Sequence, residues 1–195
     1  MLRYILNEVS VLALTAFETI LGRFQTTRTC SNCNLFRLEE ENFSILAVPI
    51  SNSIQSSLNN ALSSGAVDDA ACCQDSDTVV EHRLSGCGKF LILHLSRFTN
   101  VAGRPAKDTS VVDACADNLL VHIAVDEVVS SACQYKLLAT VNHSGTLERG
   151  HYTAYVRDTA NNVWWFCNDK AVIRASVANL TNSNSTLFFF ERCGT

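Results

Sequence analysis

Residues 135–169, YKLLATVNHSGTLERGHYTAYVRDTANNVWWFCND, constrain this chain more than any other stretch. The first seven residues alternate as a strand does, and NHSG and ERG mark a loop. HYTAYVR follows. Tyr152, Ala154 and Val156 fall on one face and His151, Thr153, Tyr155 and Arg157 on the other, because successive strand side chains point to opposite faces. Residues 158–162 read as a polar turn, and VWWFC returns as a second strand into Asn168 and Asp169. Pairing those strands brings His151 to Asn168 and Asp169 across the sheet. An imidazole facing an amide or carboxylate is the base-and-orienter half of a nucleophilic triad, whose nucleophile must come from elsewhere. On spacing alone, a structural histidine beside an Asn-Asp turn explains the same pattern.

The order of further motifs separates those readings. LILHLSRF (91–98), YKLLATVNHSG, GHYTAYVR, WWFCND and a terminal TLFFFER follow one another along the chain. Together they resemble the ubiquitin-specific protease family of papain-like cysteine peptidases, from about residue 2 to residue 192. The resemblance implies an α+β fold with extended fingers and a mainly antiparallel palm sheet. It implies His151 as general base, with the residue seventeen positions further on, Asn168, as its orienter and Asp169 adjacent. It also implies that the loop from His143 to Gly150 closes over ubiquitin's diglycine tail, with His143, Gly145, Gly150 and Tyr152 lining that path.

Composition excludes several other classes. A net charge of −4 with no basic stripe leaves no footprint for nucleic acid. No run approaches eighteen apolar residues, so no membrane span is expected. Glu8 interrupts the opening MLRYILNEVSVLAL, which argues against a secretory leader. Nine cysteines, an odd number without a regular framework, suit a reducing compartment, cytosol or nucleus.

Taken in order, residues 2–21 place Leu2, Ile5, Leu6, Val9, Leu12, Phe17, Ile20 and Leu21 near helical intervals, with Gly22 as a stop. The expected organisation is a helical lead-in over 1–27, fingers over 28–85 and palm over 86–195. Cys30 and Cys33 form a CxxC knuckle, which is either half of a structural zinc site or a pair of packing thiols. The family places its second pair where Cys72 and Cys73 lie. Adjacent cysteines present both thiolates to one ion poorly, so Asp69 or Asp75 is an alternative fourth ligand, and no metal is expected in the catalysis itself. FSILAVPI (43–50) reads as a finger strand, and SNSIQSSLNNAL as a short helix capped by Ser51 or Ser53. FLILHLSRF reads as a central strand covered on both faces, 119–125 as a strand, and the segment after the second hairpin arm as a further strand.

The departures from the family matter as much as the matches. The Gln-Glu-Phe motif and the Cys box that carries the nucleophile do not occur in these residues, so the expectation is a partial catalytic domain lacking its thumb. Such a chain belongs to a deubiquitinase but performs no turnover alone. The alternatives are a short form that only binds ubiquitin or a partner, and an unrelated interaction domain.

Overall fold

The computed structural model describes residues 19–68, 73, 77–125 and 130–194. Along the chain run β1 (Gly22–Cys30), β2 (Phe36–Phe43), β3 (Leu46–Val48), α1 (Ile54–Ala61), β4 (Gly65–Asp68), β5 (Asp77–Gly86) and β6 (Phe90–Leu95). They are followed by β7 (Phe98–Val101), β8 (Arg104–Lys107), β9 (Leu119–Ala124), β10 (Ser130–Gly145), β11 (Gly150–Asp158), β12 (Val163–Asn168), β13 (Ala171–Ala175), a 3-10 turn (Val177–Leu180) and β14 (Ser185–Arg192).

The sixteen-residue β10 is the axis of the sheet. Its first half pairs with β9 and its second half with β11 along one edge, while β14 occupies the other edge. From β9 the sheet runs out through β5 and β1 to β2, making the fingers. From β14 it runs through β6 to β3, and from β11 through β12 to β13, making the palm. The β7–β8 hairpin forms a separate two-stranded sheet. The core lies under one palm face. Cross-strand rows such as Leu137–Phe190–Leu91 and Thr140–Phe188–Leu93–Leu46 stack on α1, Val112, Ala114 and Leu180. Each fully buried Leu or Phe there contributes about 1.5–3 kcal/mol relative to exposure.

Local chemistry explains α1. The Ser53 side chain accepts from the Ser56 amide at 3.1 Å, so of the two candidate caps it is Ser53 that closes the first turn. Ile54 and Leu58, four apart, turn inward together.

Three expectations are corrected. The expected lead-in boundary at residue 27 is too late, because 22–27 belong to β1, whose Thr-rich run pairs with β2 on one side and β5 on the other. Residues 2–18 of the expected helix lie outside the described residues. Second, 43–62 are not finger pieces throughout: β2 ends at Phe43, β3 pairs in parallel with β6, and α1 packs into the palm core. Third, β6 is fully buried on one face only. Leu91, Leu93 and Leu95 are buried while Phe90, Ile92 and His94 are half-buried, an alternation hidden by its unbroken apolar composition.

Candidate active site

β11 and β12 pair with Ala154 opposite Cys167. One further step sets Asn168 against Thr153, so His151 sits two residues off register, on the diagonal of the same face. Diagonal neighbours lie about 7–8 Å apart at the backbone, within reach of an imidazole and an amide. The two side chains meet: His151 Nε2 and Asn168 Oδ1 are 2.7 Å apart. An amide oxygen can only accept, so this bond puts the ring proton on Nε2 and leaves Nδ1 as the basic nitrogen.

Asp169 occupies a different position. Asn168 and Ala171 are register partners, so Asp169 and Lys170 form the turn between β12 and β13, and Asp169 takes the left-handed conformation with φ 50°. Among the described residues no side-chain bond joins Asp169 to His151 or Asn168. Cys167 precedes Asn168 in the strand and therefore points to the opposite face.

The loop between β10 and β11 is closed by its own hydrogen bonds. The Thr146 amide donates to Arg149 O at 2.8 Å and the Arg149 amide to Thr146 Oγ1 at 3.3 Å. Both flanking glycines are required by the protein itself. Gly145 has φ +126°, and a Cβ there would lie 2.4 Å from Arg149 O. A Cβ on Gly150 would lie 1.8 Å from His143 Nε2. Of the four residues expected to line a tail path, Gly145, Gly150 and Tyr152 are exposed, Tyr152 by 64%. His143 is only 5% exposed and lies beneath them, with its ring 4.7 Å from Tyr152 and 5.8 Å from Phe98. Burial, and then the Lys107 ammonium, push its pKa down, which favours the neutral imidazole.

Behind this loop sit two cations that sequence reasoning missed. Arg97, 1% exposed, donates through Nε to Ser185 O at 2.6 Å and through Nη1 to Asp108 O and Ser110 O, both at 3.0 Å. It ties β14 and the segment after β8 to the end of β6. Lys107 donates to His143 O and, at 3.4 Å, to Asn184 Oδ1. The available signal was an arginine directly after a buried strand, where a charge needs carbonyl acceptors.

At the far end of the fingers, Cys30, Cys33 and Cys73 bring their sulfurs within 4.8 Å of one another. Tetrahedral zinc with bonds of about 2.3 Å needs sulfurs roughly 3.8 Å apart, so a small contraction would seat the ion, and three thiolates are a suitable soft donor set. Among the described residues no fourth His, Cys, Asp or Glu joins them. Cys72, Asp69 and Asp75 lie outside the described residues. A bound zinc would act structurally, by crosslinking the end of β1 and the β1–β2 turn to the segment between β4 and β5.

A mixed sheet joined to a short helix, with an imidazole held by an asparagine at its rim, is the papain-like α+β class. The chain belongs to the ubiquitin carboxyl-terminal hydrolase family, whose model matches residues 13–190, and its relatives are ubiquitin-specific proteases. Ubiquitin carboxyl-terminal hydrolase 2 of Gallus gallus is 28% identical over 189 residues, covering 89% of this chain and 52% of that protein. Ubiquitin carboxyl-terminal hydrolase 51 of Mus musculus is 32% identical over 111 residues, covering 51% of this chain and 17% of that one. The chain thus spans about half or less of the curated relatives it matches. The solved SAGA Ubp8/Sgf11/Sus1/Sgf73 DUB module bound to ubiquitin aldehyde superposes with a TM-score of 0.80 at 18% identity. That match covers 91% of this chain and 42% of the other, and it shows the fold.

Proposed function

We propose that this chain supplies the general-base half of a thiol-dependent hydrolase that releases ubiquitin from its conjugates. The observation that carries this reading is the 2.7 Å contact between His151 and Asn168 at the rim of the palm. Nδ1 of His151 takes the proton of a cysteine thiol, and the thiolate attacks the carbonyl of ubiquitin's C-terminal glycine. The tetrahedral adduct collapses, the carbon–nitrogen bond breaks, and His151 returns its proton to the leaving amine. Water, deprotonated by the same nitrogen, then hydrolyses the thioester to a carboxylate and the free thiol. Asn168 keeps the ring in the tautomer this cycle needs, and a neutral amide is enough, because a papain-type pair already forms thiolate and imidazolium. Asp169 adds polarity at the adjacent turn. The exposed Gly145, Gly150 and Tyr152, with His143 beneath them, would receive the diglycine tail.

The nucleophile is expected from a cysteine box outside these 195 residues, since none of the nine cysteines sits in a sequence context resembling that box and Cys167, beside Asn168, faces away from His151. That same observation favours a second reading, ubiquitin binding without turnover. Nine cysteines with no regular pairing framework support the cytosol or nucleus as the setting.

Titration of the 15N-labelled chain with unlabelled ubiquitin tests the shared core of both readings. The amides of 143–152 and of Asn168 are expected to move. Movement confined to other elements, or none, would overturn it. A ubiquitin probe ending in a thiol-reactive electrophile is expected to leave this chain unmodified; an adduct on one cysteine would locate the nucleophile inside it.

A further inference from the structure

His143 has more partners than a packing residue needs. Phe98 and Lys107 are register partners at the base of the β7–β8 hairpin, and both touch it. Phe98 does so through its ring at 5.8 Å, and Lys107 by donating to the His143 carbonyl. From the other side His143 pairs with Tyr152 in β11, ring against ring at 4.7 Å, and fills the space directly under Gly150. Its amide donates to Asn184 O at 2.9 Å, anchoring it to the segment before β14. Gly150 immediately precedes His151. The ring is therefore wedged between a hairpin that belongs to neither wing of the main sheet and the residue that starts the base-bearing strand. Its Nδ1 is buried without a hydrogen-bond partner. A buried polar atom left unpaired costs about 1–3 kcal/mol, and a phenyl ring would avoid that cost.

We propose that His143 is a positioning residue, the joint through which the β7–β8 hairpin holds the start of β11 and so aims His151 at Asn168. The inference rests on reading His151 and Asn168 as the catalytic pair. Displacement of the hairpin, for instance by a ligand seated against it, reaches Gly150 through the Phe98–His143 contact and the Lys107 bond. The ring is a wedge for geometry, and it touches neither the thiol nor the scissile carbonyl.

Histidine ring 15N spectra of the whole 195-residue chain at fixed neutral pH test this, with the five histidines assigned by single His→Gln changes. Asn168→Ala supplies the reference position of the His151 ring signals with the pair broken. His143→Ala is expected to move those signals most of the way to that reference, while the amides of β6 and β14 stay in place. Lys107→Met, which removes one bond to the His143 carbonyl, is expected to move them the same way by a smaller amount. A purely structural His143 would lower the melting midpoint and leave the His151 ring where the parent has it, and that result overturns the inference alone. Should Asn168→Ala itself leave the ring unmoved, the pair falls and the inference falls with it. If His143→Ala fails to fold, Lys107→Met decides: an unmoved His151 ring counts against the joint.

Discussion

The two ends of the sheet are built on different physics. At the palm end, Leu91, Leu93, Leu95, Phe188 and Phe190 are all but sealed from water. At the finger end β2 is exposed along nearly its whole length, with Phe36 55% and Leu38 52% exposed. Its cross-strand contacts are Gln25 to Glu40 at 2.8 Å, with Arg23–Glu40 and Arg28–Glu39 at 4.0 Å. Exposed pairs of that kind contribute about 0–1 kcal/mol each. The palm is held by burial, and the fingers by ladder hydrogen bonds and whatever the Cys30–Cys33–Cys73 knuckle adds. His151 and Asn168 meet at the palm end, while β2 at the finger end leaves its side chains to solvent.

The sharpest way to break this contrast is to remove one side chain from each end. Leu93→Ala and Phe190→Ala are expected to cost about 3–5 kcal/mol in urea unfolding, from lost transfer energy and the cavities left behind. Leu38→Ala is expected to stay within about 0.5 kcal/mol. Similar costs at both ends would remove the distinction.

Metal comes next. Zinc at about 100 times its dissociation constant should stabilise the chain by about 2.7 kcal/mol, and Cys33→Ser should erase that gain. A melting midpoint indifferent to zinc would leave the fingers to their ladder alone. Glycine gives a smaller contrast. Gly150→Ala forces a methyl into the His143 ring and should cost about 1–3 kcal/mol. Gly65→Ala in β4 meets nothing within 4 Å and should be neutral or stabilising by up to about 1 kcal/mol.

The smallest expected effect depends on pH. Because folding depresses the pKa of His143, the unfolded chain binds the extra proton. The contribution is present above the unfolded histidine value of about 6.5 and is lost as pH falls through the lower folded value. Asp108, held below the usual carboxylate range by hydrogen bonds from Ser110, loses its contribution only below about pH 4. A slope between those limits that survives in His143→Phe would assign it to another group.

Much of the site was legible in the chain. Strand alternation placed His151 opposite Asn168 and Asp169, and it was the resemblance to the family, which sets the orienter seventeen positions after the base, that chose Asn168, whose side chain meets His151. The cap of α1 was legible down to two serines, Ser51 and Ser53, because capping is local, and the structure selects Ser53. The parallel pairing of β3 with β6 was not, since nothing in FSILAVPI specifies a partner 47 residues away. Nor was the strand at 22–27, where an apolar helical pattern runs straight into a Thr-rich segment that only β2 and β5 make into a ladder. Arg97 and Lys107 escaped notice because their acceptors are backbone carbonyls, which carry no sequence signature.

The central claim is that His151 is the base of a ubiquitin-cleaving thiol enzyme. It is tested most directly by hydrolysis of a fluorogenic ubiquitin C-terminal amide. The polypeptide used should carry His151 together with the nucleophilic cysteine. His151→Ala should lower kcat by about 10²–10⁴-fold with KM little changed. Asn168→Ala, which removes one hydrogen bond, should lower it by about 10-fold. A His151→Ala protein that keeps the parent kcat would contradict the account.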